Sequence, residues 1–84
     1  MRKVVMYTLS TCPWCRKTKQ FFKDRGILFE YIDYDLADDE QQENIMMDMA
    51  KYSVNTSFPF VKIGRNVVIG YDPERYAELL GLSK

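Results

Sequence analysis

The chain contains no histidine. That removes Ser–His and Cys–His catalytic pairs and every zinc site that needs imidazole. With only two cysteines, a four-thiolate zinc site within one chain is excluded as well. General acid–base work falls to carboxylates, lysine, tyrosine or a thiol. An excess of one charge is also missing. Twelve basic and 12 acidic residues cancel, so the footprint of a nucleic-acid binder is absent. Proline and glycine are scarce, at 3 and 4 residues, which argues against disorder and collagen-like repeats. No apolar run approaches the ~20 residues of a membrane span. Arg2 and Lys3 imitate the start of a secretion signal, but the apolar run behind them lasts about six residues. An h-region needs roughly 7–15, and no small-x-small cleavage site precedes the first cysteine. The segment reads as a first strand, and the chain as cytoplasmic and free of the membrane.

What is present is an ordinary globular composition over 84 residues, 46% hydrophobic and 29% charged. This is room for a single domain spanning 1–84, since two halves would each fall below the size that supports a core unaided. There is no internal repeat, linker or composition break. Lys3–Thr8 is β-branched and aromatic and apolar on both faces, the mark of a central strand. Leu9–Cys12 is a loop, and Pro13 occupies a first helical position, where its missing N–H costs nothing. That helix runs to a stop at Gly26 and turns Trp14, Thr18, Phe21, Phe22 and Arg25 to one side. Ile27–Tyr34 reads as a second strand. Leu36–Tyr52 reads as a helix, with Asp38, Asp39, Glu40 and Glu43 at its positive end and Ile45, Met46, Met49, Ala50 and Tyr52 as its buried stripe. After a polar loop, Ser53–Ser57, come a strand Pro59–Ile63, a turn Gly64-Arg65-Asn66 and a hairpin partner Val67–Ile69. Asp72 caps a last helix that begins at Pro73 and runs to Leu80, stopped by Gly81. The order is βαβ-α-ββ-α. It predicts an α/β fold, a four-stranded mixed sheet with helices on both faces. The first two strands are parallel by a right-handed crossover, and the hairpin is antiparallel.

The chemistry is carried by Cys12-Pro13-Trp14-Cys15, which follows a strand and opens a helix. Positions i and i+3 of a helix face the same way with Cβ atoms about 5–6 Å apart, close enough for a disulfide after small adjustment. Cys12 falls at the N-cap, where the free N–H groups of Trp14 and Cys15 and the positive helix end favour a thiolate. An ordinary thiol is only about 3% thiolate at pH 7, so that placement separates a reactive sulfur from an inert one. Cys12 is then the nucleophile, Cys15 the resolving thiol, and Arg16 and Lys17 add exposed positive charge. A purely stabilising disulfide is a poor alternative, because so short a loop removes little unfolded-state entropy. The serious competitor is a module that holds a metal or an iron–sulfur cluster through Cys12. Small metallochaperones also carry a C-x-x-C before a helix, but in a βαββαβ order. Phe58-Pro59, entering a strand after a polar loop, is a candidate cis bond beside the Cys12 loop; an ordinary trans proline opening an edge strand is the alternative.

Over nearly its whole length the sequence resembles the glutaredoxins of the thioredoxin superfamily. Tyr7-Thr8 leading into Thr11-Cys12-Pro13-Trp14-Cys15 resembles their active-site stretch, and Ser57-Phe58-Pro59 their T-V-P segment, in which the proline is cis. Val68-Ile69-Gly70 followed by Asp72 resembles the start of their third signature. The resemblance implies a thioredoxin-like fold and a dithiol–disulfide oxidoreductase. Its catalytic pair is Cys12 and Cys15, its substrate contacts are Pro13, Trp14, Ser57, Phe58, Pro59, Gly70, Tyr71 and Asp72, and it holds no metal or bound cofactor. It implies glutathione or a thioredoxin-reductase-type enzyme as reductant, disulfide-containing proteins as substrates, and a monomer. Three departures weigh against glutathione: Leu9 replaces a common lysine, Phe58 replaces valine, and Gly70-Tyr71-Asp72-Pro73-Glu74 replaces the Gly-Gly-x-Asp form. A Gly-aromatic-x-Pro-acidic string is similar to the NrdH-type redoxins, electron donors to ribonucleotide reductase that a thioredoxin reductase reduces. Leu9, Trp14, Phe58 and Tyr71 are expected to form an apolar collar around Cys12, suited to a protein partner. Met46, Met47 and Met49 read as a core stripe, and the acidic run Asp33–Glu43 as a solvated loop and helix start.

Overall fold

The computed structural model describes residues 2–82. Its elements are β1 (Val4–Thr8), α1 (Pro13–Asp24), β2 (Glu30–Asp33), a short 3-10 turn (Tyr34–Leu36), α2 (Asp39–Ala50), β3 (Phe60–Ile63), β4 (Asn66–Ile69) and α3 (Pro73–Leu80). The strand order is β2-β1-β3-β4. β1 is therefore central, parallel to β2 and antiparallel to β3, and β4 is the antiparallel hairpin partner of β3. Alternation along each strand divides the core in two. Val4, Met6, Val61, Ile63 and Val68 point to one face, where Phe21 and Phe22 of α1 and Tyr76 of α3 cover them. Tyr7 and Phe60 point to the other, beneath Ile45 and Met49 of α2. The helices thus lie on both faces, as the fold class requires.

Local chemistry sets the element ends. Pro13 and Pro73 each open a helix, and Asp38 and Asp72 cap α2 and α3 by accepting the N–H groups of Gln41 and Arg75. Gly26 and Gly81 stop α1 and α3 with φ of 66° and 69°, a left-handed turn that favours glycine.

Five expectations need correction. The second strand does not begin at Ile27. The Ile27 N–H is tied back to the Phe22 carbonyl at 2.9 Å, and Ile27–Phe29 only approach the sheet before Glu30 pairs with Val5. The α2 helix does not start at Leu36, which is 72% exposed in the 3-10 turn; it starts behind the Asp38 cap and ends at Ala50. Its buried stripe shrinks to Ile45 and Met49. The hairpin turn shortens to Gly64-Arg65, because Asn66 pairs with Ile63. On α1 the buried face is Cys15, Thr18, Phe21 and Phe22, while Trp14 is 54% exposed. Arg25 is also exposed, with its guanidinium stacked on the Phe21 ring at 3.8 Å.

Candidate active site

The β1 strand runs out at Thr8, and the chain crosses through Leu9, Ser10 and Thr11 to α1. A tight turn closes the crossing: the Cys12 N–H donates to the Leu9 carbonyl at 3.1 Å. Cys12 is extended (φ −83°, ψ 119°) and is the N-cap of α1, and its carbonyl accepts the Arg16 N–H at 3.1 Å. Its sulfur takes the place of the usual capping oxygen, accepting the Cys15 N–H at 3.3 Å. The motif spacing therefore does what helical geometry allows. One sulfur sits on the helix N-terminus and the other one turn inside.

The two thiols differ sharply. Cys12 is partly exposed and Cys15 fully buried, and both are free. The Cys15 sulfur accepts a long hydrogen bond from the Leu9 N–H at 3.5 Å. Burial, the largest cause, together with the neighbouring Cys12, pushes the Cys15 thiol up to about 12, against the Leu9 N–H and the Lys19 charge. Cys15 holds its proton at neutral pH, and Cys12 is the sulfur that presents itself to the outside.

Phe58-Pro59 is cis, and Pro59 is buried. The pairing of Tyr7 with Phe60 puts Pro59 at the end of β3 that lies beside Thr8 and the Cys12 crossing. The Gly70 N–H donates to the Pro59 carbonyl at 2.8 Å, and the Tyr76 hydroxyl donates to the Gly70 carbonyl. Gly70, at φ 97°, adopts a conformation that a side chain would strain. The three separated motif segments are thus joined: β1–α1 to β3 by the sheet, and β3 to the α3 entrance by these hydrogen bonds.

The aromatic residues expected in the apolar collar separate into two groups. Trp14 and Tyr71 meet with ring centroids 5.8 Å apart, and Lys17 lies over Trp14 at 4.7 Å. Phe58 turns away to the α2 side and meets Tyr34 at 5.5 Å. Tyr34 was not among the residues singled out. Ser57 is exposed and bonds Asn55 at 2.6 Å. Asp72 spends an oxygen on capping α3. The Lys62 charge is committed to Asp48 at 2.5 Å on the opposite face, close to the Tyr7 hydroxyl, while Arg16 and Lys51 are exposed.

Sequence reasoning also missed two carboxylates that hold the crossing. Asp35, at the 3-10 turn, accepts both the N–H (2.8 Å) and the hydroxyl of Ser10; the Ser10 bonds hold its carboxyl below the usual range. Asp33 accepts the Thr8 hydroxyl at 2.5 Å and pairs with Lys19 at 3.2 Å. The acidic run is therefore solvated only from Asp35 onward. A polar residue at the inner end of a mostly apolar strand was the available signal. Among the described residues no group of three or more Cys, Asp or Glu side chains converges on a metal position. No helix among the described residues is long and apolar enough to cross a membrane.

Comparison with known proteins gives the same reading. The glutaredoxin family model matches residues 4–68. A glutaredoxin-like 8.6 kDa protein of the rubredoxin operon of Clostridium pasteurianum is 30% identical over 77 residues, 92% of this chain and 96% of that one. Methanoredoxin of Methanosarcina acetivorans superposes with a TM-score of 0.90 at 36% identity, over 95% of this chain and 85% of its own. A glutaredoxin of Archaeoglobus fulgidus gives 0.85 at 38% identity, over 95% and 87%. The fold, with its Cys-x-x-Cys pair at a helix N-terminus, is that of thiol–disulfide oxidoreductases. The chain belongs to the glutaredoxin family.

Proposed function

We propose that the protein is a dithiol–disulfide reductase for protein and small-molecule disulfides, with Cys12 as nucleophile and Cys15 as resolving thiol. The observation that carries this reading is the asymmetry of the pair. The Cys12 sulfur is partly exposed and accepts the Cys15 backbone N–H, and the Cys15 thiol is buried behind it with its proton held. Cys12 attacks one sulfur of a substrate disulfide; that S–S bond breaks, and the other sulfur leaves with the electron pair and takes a proton from solvent. Cys15 then yields its proton to solvent and attacks the Cys12 sulfur. The Cys12–Cys15 bond forms as the Cys12–substrate bond breaks, and the second substrate sulfur leaves as thiolate. We assign substrate contact to Pro59 and Ser57 on one side of the approach and to Trp14, Tyr71 and Gly70 on the other, with Pro13 shaping the turn and Asp72 at its rim, while Phe58 packs against Tyr34.

Two electrons must be returned to the oxidised pair. Glutathione carries two carboxylates and one ammonium, and its dedicated sites need fixed positive charge and close backbone approach. Leu9 supplies no charge, Lys62 is engaged with Asp48, and Tyr71 occupies the place of a second glycine. Each lost contact to a charged group weakens binding by about 1.5–3 kcal/mol, roughly tenfold to hundredfold. The Trp14–Tyr71 surface suits a protein better, so a flavin-dependent thioredoxin-reductase-type enzyme is the preferred reductant. A pair that must be re-reduced belongs in a reducing compartment, the cytoplasm.

The test compares the two reductants. Oxidised protein is followed by tryptophan fluorescence while either glutathione or a thioredoxin reductase with NADPH is supplied. Faster reduction by the enzyme is expected. Efficient turnover with glutathione and none with the reductase overturns the preference. A coloured protein after aerobic purification, with no internal disulfide formed, overturns the redox reading in favour of a metal or cluster held through Cys12.

A further inference from the structure

Behind the thiol pair lies an ion pair that the reading above does not use. Asp33 ends β2 directly opposite Thr8, the last residue of β1. Its Oδ1 accepts the Thr8 hydroxyl at 2.5 Å and the Lys19 ammonium at 3.2 Å. Thr8 is fully buried, and the Lys19 and Asp33 side chains are each only 15% exposed. A pair this dry is weak support for stability, because desolvation consumes most of its attraction. Its position points to another use. Lys19 follows Cys15 by four residues on α1, one turn along the same helix face. Leu9, which follows Thr8, donates its N–H to the Cys15 sulfur.

Among the described residues few charged groups face Cys15. Cys12 and Lys19 do so from α1, and Asp33 reaches it from β2 through Lys19. Asp35 acts on Lys19 from the 3-10 turn, and the Tyr31 ring lies under the ammonium at 3.8 Å. Lys19 acts on Cys15 in favour of the thiolate, opposing burial and the neighbouring Cys12.

We propose that Lys19 and Asp33 are positioning residues that set the reactivity of Cys15 in the resolving step, Lys19 promoting its attack on the mixed disulfide and Asp33 restraining it. The inference rests on the oxidoreductase reading. In that step Cys15 loses its proton to solvent and carries negative charge until the electron pair leaves on the substrate sulfur. A cation beside it favours this passage, and a carboxylate that neutralises the cation moderates it. A tenfold rise in thiolate fraction costs about threefold in nucleophilicity, leaving a net gain of about threefold in rate.

Stopped-flow reaction of reduced protein with dithiobis-nitrobenzoate separates the steps. The first coloured thiolate is released by Cys12 attack and the second by Cys15 resolution. Asp33→Asn should accelerate the second release about threefold, Lys19→Gln should slow it by a similar factor, and the first release should change less than either. Lys19→Arg, which keeps the charge, should hold the wild-type rate; with Lys19→Gln it carries the test should Asp33→Asn fail to fold. Opposite signs are the signature, since loss of a merely structural contact moves both variants the same way. Shifts of one sign, or no shift in either variant, would overturn the inference while leaving the mechanism standing. A wild-type protein that gives no second release removes the mechanism itself.

Discussion

Selective alkylation tests the inequality of the two thiols. Cys15 is pushed up to about 12, so at pH 7 its thiolate fraction is about one in 100,000. An unperturbed cysteine near 8.5 has about 3%, some three thousandfold more. The thiolate of a more basic thiol is the better nucleophile. With a Brønsted slope of about 0.4–0.5 that returns roughly thirty- to fiftyfold. The net expectation is that Cys15 reacts with iodoacetamide about a hundredfold more slowly than a free cysteine peptide, before steric exclusion adds to the factor. Cys15 is fully buried, so exclusion acts in the same direction. The assay is brief labelling of reduced protein at pH 7, with mass spectrometry of the peptides carrying each cysteine. Only the singly labelled species is counted, because labelling Cys12 changes the surroundings of Cys15. In Cys12→Ser the slow rate should persist, since burial and not Cys12 is the largest cause. Equal labelling of the two cysteines, or Cys15 labelling at the free-peptide rate, would refute the reasoning.

Two further predictions concern the frame of the site. Burial would raise the Asp48 carboxyl, but hydrogen bonds from Lys62 and Tyr7 outweigh it and hold it below the usual range. The stability this confers is therefore present above the ordinary carboxylate range near 3.9 and lost as pH falls through the folded value. Asp48→Asn should cost about 1–3 kcal/mol at pH 7, between the values for exposed and buried pairs, and less at pH 3; equal losses in urea titrations at both pH values would contradict this. Tyr76→Phe removes the hydroxyl that holds Gly70, a loss of about 1–2 kcal/mol and a fall in Tm of several degrees, so an unchanged melt would show that the hydroxyl does not hold that turn.

The reactive centre was legible because its determinants are local. A strand, a Cys-Pro-x-Cys and an amphipathic run specify a sulfur at a helix N-terminus before any tertiary contact is known. The caps at Asp72, Pro73 and Gly81 were readable for the same reason. What escaped the sequence depends on which of two nearby faces turns inward. Spacing alone allows α1 to bury Trp14 with Thr18 or Cys15 with Thr18 and Phe22. Hydrophobicity favours the tryptophan, but the small Cys15 is the side chain buried against the β1 end. Asp33 was hidden because its partners, Thr8 and Lys19, are distant in sequence and are assembled only by the parallel β1–β2 register. Tyr34 was hidden likewise, since the turn holding it brings it to Phe58 across the fold. The strand from Ile27 was over-read because alternation continues through residues that approach the sheet without pairing.

The aromatic chain from Trp14 inward has a consequence for how the rim opens. Tyr71 meets Trp14 on one side and Tyr76 at 6.3 Å on the other, and Tyr76 lies against Phe21 at 5.5 Å and Phe22 at 5.2 Å. The α3 helix has only eight residues, too few to persist alone, so it is held by that buried ring and by the Arg2 guanidinium on the Leu79 carbonyl. Local unfolding of α3 therefore withdraws Tyr71 from Trp14 and frees Gly70 from Tyr76 in the same event. Amide protons of α3 should exchange as one unit, at a lower opening free energy than those of central β1. The Trp14–Tyr71 surface thus has the endurance of the C-terminal helix rather than that of the sheet, although Cys12 is anchored to the end of β1.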